Sequence, residues 1–327
     1  MATSGSWDYS LTGTTFCNIV AEHLGVLAAG ETLSSEDQTL ILARLNLVAK
    51  AMGGRVDMGR GTKPWVRQRV TLFLAKGQQT YLVGPASSDA RASTQYGRTT
   101  ISANEASGQT VISITSNTDT TTYPGTTVTM TASDIVGIEQ NDGTIHWTTI
   151  SGTPGATMTI SVALTAAADA GKYVYWFTSR AQRFVECEAA ALRDENRNDI
   201  SIDVYREVDQ YDIGVVDKYA DGDPTAILIE PLRIATRITL NSQPTDVTKQ
   251  IQLTVLYPNE DYDAAANDIA FPQEWLDYLT WQVAKRSAVA FGTNWTALME
   301  SNLGEAKMMA HSLNPETSDA HFRVGGL

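Results

Sequence analysis

The sequence predicts an α+β fold, in which a helical body (an N-terminal hairpin plus C-terminal helices) is accompanied by β strands and an inserted all-β sandwich or barrel domain. Apolar residues recur at helical spacing near both ends of the 327-residue chain, whereas its middle is rich in Thr, Ser and Gly with short apolar runs. These observations divide the chain into a helical hairpin with the first strands (1–98), an inserted β domain (99–178), strands and C-terminal helices that complete the body (179–314), and a C-terminal tail (315–327).

The first two elements form a predicted helical hairpin. Residues 12–29 place apolar side chains on one helical face, behind Thr12 as a cap and before Gly30 as a stop. Residues 35–52 do the same behind an approximate capping box that begins at Ser34. Two amphipathic helices joined by so short a connection are expected to pack against each other.

The next segment, WVRQRVTLFL at 65–74, alternates between apolar and polar side chains. This period of two predicts a strand with one polar face, made of Arg67, Arg69 and Thr71. Between 99 and 178 follow short apolar runs such as TVISIT, TIHWTTI and YVYWFT, separated by turn signals at 123–125 and 141–143. Closely spaced short strands of this kind predict a small sandwich or barrel, and further strands are predicted from 182 to 258.

The stretch FPQEWLDYLTWQVAKRSAVAFG at 271–292 predicts a helix, with Pro272 at the first helical position and Gly292 as its stop. Asn294 is placed to cap one further helix. The first of these helices is unusually aromatic. Three of its aromatic side chains are either core residues or anchors of a subunit interface: Trp275, Tyr278 and Trp281.

The last residues, 314–327, carry no core-forming pattern. They predict a tail that orders only on a partner surface, as segments without a core of their own do. Within this tail, Phe322 and Arg323 are the candidate contacts.

The formal net charge of −13 argues against general affinity for nucleic acid, because phosphate binding requires clustered Lys and Arg. One basic cluster nevertheless stands out, and it is either a solvated surface or a contact for DNA or an acidic partner: Arg55, Arg60, Lys63, Arg67 and Arg69. Cys17 and Cys187 lie far apart and are expected to be small buried apolar residues. No run approaches the roughly 20 apolar residues of a membrane helix, and the first residues lack the pattern of a secretion signal.

Catalytic motifs are absent from the sequence. The four histidines are scattered, and there is no HExxH, GxSxG or GxxxxGK[ST]. We therefore predict no catalytic residue, no metal site and no cofactor. Paired carboxylates leave open a peptidoglycan hydrolase, and the Thr-rich insertion leaves open a surface decoration or fibre protein.

Four segments taken together resemble the head-to-tail adaptor proteins of tailed bacteriophages, the group of packaged-DNA-stabilisation and tail-tubular-A-like proteins. They are the hairpin at 19–52 with its GVLAAGE turn, LFLAKGQQTYLVG at 72–84, the Tyr, Lys and Gly-x-Pro series at 192–227, and the Phe-Pro-x-Glu-Trp helix at 271–292. Each motif alone is weak, whereas the set in this order is specific.

The resemblance implies a virion structural protein without enzymatic activity, made in the host cytoplasm and located at the neck of the virion. It implies a homo-oligomeric ring under the portal protein, a dodecamer to match the portal, which joins the head to a downstream tail or nozzle protein. Double-stranded DNA would pass through its channel without specific binding, and no membrane would be involved. The inserted β domain would face outward.

Overall fold

The structure, a computed structural model, describes residues 9–28, 30–52, 66–84, 92–123, 125–194, 196–215, 217–258 and 260–312. These residues hold sixteen β-strands in four sheets and five α-helices. The chain divides into a helical unit, Met1–Val66 with Pro258–Leu327, and a larger β-unit, Arg67–Tyr257. The predicted α+β fold with a helical body is therefore wrong: four of the five helices form only the smaller unit, and the β-unit between them contains most of the described residues.

The helical unit is built from both ends of the sequence. It contains α1 (Gly13–His23), α2 (Ser35–Met52), a 3-10 turn (Gln273–Trp275), α4 (Leu276–Ser287) and α5 (Ala297–Ser312), whereas α3 (Val208–Gly214) belongs to the β-unit. The predicted cap of the first helix is confirmed, since Thr12 Oγ1 accepts a hydrogen bond from the Thr15 backbone N–H at 3.3 Å. The helix ends at His23, earlier than predicted, because the chain turns at Gly25, where φ is +69°.

Two more helix starts rest on hydroxyl caps. Ser34 Oγ accepts from the Asp37 backbone N–H at 3.2 Å, which confirms the predicted cap of α2. At α5 the prediction of Asn294 is wrong by two residues, because Thr296 Oγ1 accepts from the Met299 N–H at 3.3 Å. The amide oxygen of Asn294 and the hydroxyl of Thr296 satisfy the same local rule, so sequence spacing alone does not choose between them.

Helix α4 is the centre of the helical unit, since α1, α2 and α5 all pack on it. The core contains most of the apolar stripes that the sequence predicts, including Phe16, Leu45 and Leu279. Asn46 on α2 forms two hydrogen bonds with the backbone of Tyr262 in a loop distant in sequence. Its amide Nδ2 donates to the Tyr262 carbonyl at 2.9 Å, and its Oδ1 accepts from the Tyr262 N–H at 2.8 Å. Two ends of the chain are thereby held in one core.

The β-unit is organised around an eight-stranded sheet of order β2-β15-β14-β13-β12-β16-β1-β3. Its strands are β1 (Val66–Phe73), β2 (Thr80–Val83), β3 (Ala92–Ser93), β12 (Glu186–Arg193), β13 (Asp199–Tyr205), β14 (Ala226–Pro231), β15 (Thr236–Leu240) and β16 (Gln250–Tyr257). Strands β13 and β14 are parallel, and α3 lies in the crossover that such a pair requires.

This sheet curls around its own core. Strands β1 and β2 are neighbours in sequence but lie far apart in the strand order, and the Tyr81 hydroxyl accepts from the Ala75 N–H at 2.9 Å in the turn that joins them. The sheet must therefore bend until its two ends approach at this turn. One face becomes a buried apolar core with side chains from seven strands, for example Leu72, Ile227 and Leu253.

Residues 97–177 form the remaining strands, in three small sheets. These are β4 (Gly97–Thr100), β5 (Val111–Ser113), β6 (Thr118–Asp119), β7 (Val128–Thr129), β8 (Ile135–Glu139), β9 (Ile145–Thr149), β10 (Thr157–Thr159) and β11 (Tyr173–Phe177). The turn predicted at 141–143 is confirmed: Gly143 has φ +78° and joins the antiparallel pair β8 and β9. The strands enclose a second apolar core that includes Ile112, Val136 and Met158.

Candidate functional site: the interaction surfaces

Two of the three aromatic candidates on α4 are core residues of the helical unit. Trp275 is 1% exposed and Tyr278 is buried, and their rings meet edge to face at a centroid distance of 5.9 Å. Trp275 ends the 3-10 turn that leads into α4, so its ring sits where the chain enters the central helix. In the isolated chain both side chains hold the helices together, and an interface role for them stays a prediction.

The third candidate, Trp281, is half-buried and belongs to an aromatic surface that the sequence did not predict. His23 at the end of α1 stacks on the Trp281 ring at 3.8 Å with an interplanar angle of 10°, and Trp295 meets Trp281 edge to face at 6.4 Å. Glu300 fixes Trp295, because its Oε2 accepts from the indole N–H at 2.7 Å and from Lys285 at 2.7 Å. Three aromatic rings from three segments are thus held in one orientation.

Because His23 is titratable and stacks on Trp281, the stability of the helical unit depends on pH. Burial lowers the pKa of His23 from its ordinary 6.5, although Asp277 and Glu22 oppose this shift. A lowered folded-state pKa means that the unfolded chain binds the proton more readily, so stability is fully present above pH 6.5 and is lost as the pH falls through the folded pKa.

We therefore expect the protection factors of amides in α1 and α4, which compare their hydrogen-exchange rates with those of an unfolded chain at the same pH, to be lower at mildly acidic than at neutral pH. The variant His23→Phe retains a ring against Trp281 and is expected to lose this part of the pH dependence. Hydrogen exchange measured on both proteins provides the check. An identical pH response in the variant would assign the effect to other groups.

The described part of the predicted basic cluster is partly neutralised. Arg67 on β1 forms a bidentate salt bridge with Glu188 on β12, in which Nε lies 2.6 Å from Oε2 and Nη2 lies 3.1 Å from Oε1. Arg69, two residues on, points to the same outer face of the sheet and carries no ion pair in the part of the chain that the structure describes. A hydrogen bond from Arg193 is the main reason why the pKa of Asp199 is low, and the positive charge of Arg69 lowers this pKa further.

Arg69 lines a shallow groove of about 310 Å³ on this outer face. The floor consists of small side chains from neighbouring strands, among them Ala189, Ala191 and Ser201, and Arg193 lies at the rim. Arg193 forms a bidentate salt bridge with Asp199, with two hydrogen bonds of 2.7 Å each. The groove is therefore only weakly positive, and it offers one guanidinium without an ion-pair partner among the described residues rather than a strong anion site.

Arg193 also lines a separate small pocket, together with Tyr96, Arg98 and Arg197. Arg98 lies 5.0 Å from the centroid of the Tyr173 ring, and Arg197 donates to the Thr121 carbonyl oxygen. Burial raises the pKa of Tyr96 to about 12, and its hydroxyl donates to Gln250 at 2.8 Å. Sequence spacing did not indicate this cluster, because its members are brought together only by the pairing of distant strands.

The other predicted contacts cannot be placed. Arg55, Arg60 and Lys63 of the basic cluster lie outside the described residues, and so do Phe322 and Arg323 of the tail. Their roles stay predictions.

Within the residues that the structure describes, no group of three or more His, Cys, Asp or Glu side chains is arranged to hold a metal ion. The same residues contain no helix long and apolar enough to cross a membrane. Both cysteines are free and buried, as the sequence predicts, and burial raises the pKa of each thiol to about 12. Neither thiol is therefore a ready nucleophile at neutral pH.

No protein-family model matches the chain, and no curated protein matches it.

Proposed function

We propose that this chain is a virion structural protein, a head-to-tail adaptor of a tailed bacteriophage. In this role it forms a ring beneath the portal protein, connects the head to the tail and lines the channel through which DNA leaves. The observation that carries the proposal is the ordered set of four segments that resemble this family. The way these segments meet in space adds support.

The first and fourth segments, 19–52 and 271–292, are more than 200 residues apart in sequence but share one core, because α2 and α4 pack directly on each other. The Leu-Asn pair of the first segment includes Asn46, whose amide clamps the Tyr262 backbone. Residues that carry the resemblance therefore have structural roles in joining the two ends of the chain, as a structural protein without an active site requires.

The second and third segments, 72–84 and 192–227, also meet. In the Gly-Gln-x-x-Tyr turn, the Gln79 amide donates to the carbonyl oxygens of Lys218 and Leu240, the latter at 2.7 Å. The Tyr81 hydroxyl closes the same turn onto Ala75. Tyr81, the last residue of the motif, thus holds the turn where the two ends of the curled sheet approach, while Gln79, at one of the variable positions, joins this turn to the third segment.

The charge of the chain fits a channel protein. A net charge of −13 repels the DNA backbone, so DNA would slide past a ring of such subunits without being held. Tight binding of duplex DNA at about 150 mM salt would contradict this part of the proposal.

The test is native mass spectrometry of the purified chain, alone and mixed with the portal protein encoded in the same genome. The proposal expects a stoichiometric ring complex with the portal. Truncation after Leu313 is expected to abolish portal binding while the remaining chain stays folded, because the tail is the segment without a core of its own. Absence of association with the portal at every mixing ratio would contradict the adaptor function.

A further inference from the structure

Two helices of the helical unit leave apolar faces outward, on different sides of the central helix. Both α2 and α5 pack on α4, but they do not form a helix pair with each other among the described helices. Each uses one face for the shared core, namely Leu45 and Val48 on α2 and Leu303, Ala306 and Ala310 on α5. Each has a second face that the described residues of the unit do not cover.

The outer face of α2 carries Ala43, Leu47 and Ala51, which are spaced four residues apart and therefore lie in one row. All three are exposed, and Leu47 is 55% exposed. Arg44 lies at the edge of this row and makes no ion pair with any described residue. The row is an apolar ridge with one free cation beside it.

The outer face of α5 carries Leu298, Glu305, Met308 and Met309, which also fall on one side of the helix. Leu298 is 71% exposed and Met308 is 70% exposed. Glu305 stands between them and has no ion-pair partner in the described chain. This face is therefore apolar with one free anion in it, and its charge is opposite to that of the α2 face.

We propose that the outer face of α2 in one copy packs on the outer face of α5 in the next copy, with Arg44 opposite Glu305. Because one chain offers both faces on different sides of α4, the contact is heterologous, so each copy binds two neighbours and the contact repeats. The apolar rows supply the buried area, and the charge pair fixes which faces meet. That the repeat closes into a ring rests on the proposed adaptor function, whereas the pairwise contact does not.

Charge reversal tests the contact, with sedimentation velocity over a range of protein concentrations as the measurement. Arg44→Glu and Glu305→Arg each place like charges together, so each is expected to weaken self-association at least about tenfold. An equimolar mixture of the two variants is expected to recover it, because every contact in an alternating assembly then joins opposite charges. Arg286→Glu, an equal charge reversal on the exposed part of α4, is the matched control and should leave association unchanged.

A cysteine pair gives a second readout that does not depend on strong association. Leu47→Cys mixed with Met308→Cys is expected to form a disulfide-linked dimer under mild oxidation, whereas neither variant mixed with the wild-type chain should do so. The natural thiols Cys17 and Cys187 are buried and should not compete.

The outcomes separate the two proposals. If the single charge variants associate like the wild-type chain, or the cysteine pair forms no cross-link, the α2–α5 contact is overturned even where a portal complex forms. If the cross-link forms but no portal complex does, the contact stands and the adaptor function fails.

Discussion

Replacing Trp275 by alanine is expected to lower the free energy of unfolding of the helical unit by about 3–5 kcal/mol. The Trp275 ring is 1% exposed, contacts Tyr278 edge to face and lies where the 3-10 turn enters α4, so its loss leaves a large cavity beside the central helix. Because α1, α2 and α5 all pack on α4, we expect faster hydrogen exchange in all four helices. Amides of the eight-stranded sheet should keep their protection, since they belong to the other unit.

Val289→Ala is the control for this variant. Val289 is 89% exposed in the turn after α4, so its truncation removes almost no buried contact and should change stability by less than about 0.5 kcal/mol. Unchanged exchange in the helices of the Trp275→Ala protein would show that the ring is not an anchor of the core. It would also remove the structural role given to the aromatic helix here.

The helices could be predicted from the sequence because their signals are local. The apolar rows of α2 and α4 repeat over three or more turns, and the caps at Thr12 and Ser34 need only the next few residues. Because these signals are strong, the predicted fold class overestimates the share of the chain that the helices form. Strands are predicted over the same regions, but their core faces depend on pairing with distant segments, such as β12 with β16, so the sequence does not show that they join into one eight-stranded sheet.

The candidate surfaces show the same limit. Trp281 could be singled out, but its stacking partner His23 lies in the first helix, and the Arg67 partner Glu188 lies 121 residues away. The polar face predicted for the strand at 65–74 is wrong beyond Arg69, because Thr71 is buried and the next residue on that face, Phe73, is covered by aromatic side chains. Tyr175 and Phe177, which help to cover Phe73, come from the Thr-rich segment, and the sequence does not indicate which strand this segment packs on.

Phe73→Ala is therefore expected to have the largest effect in the β-unit, a loss of about 3–5 kcal/mol in the free energy of unfolding. The Phe73 side chain is fully buried on the outer face of β1. Its ring centroid lies 5.2 Å from that of Trp147, 5.1 Å from Tyr175 and 5.9 Å from Phe177, so one ring from the eight-stranded sheet contacts three aromatic residues of the Thr-rich segment. Aromatic pairs of this geometry add stabilisation beyond the area they bury.

Because Phe73 is the aromatic side chain that the eight-stranded sheet contributes to a buried cluster with Tyr175 and Phe177, its removal is expected to uncouple the two β cores. Urea unfolding of Phe73→Ala should show two transitions where the wild-type β-unit shows one, with Trp147 fluorescence reporting the earlier transition. Phe73→Leu retains most of the buried volume and should cost much less than the alanine variant, while Val111→Ala, at a half-exposed site in the small sheets, should cost little. A single transition in Phe73→Ala, shifted no further than in Val111→Ala, would mean that the Thr-rich segment is held to the sheet by other contacts, of which the Tyr96 to Gln250 hydrogen bond is the first to test.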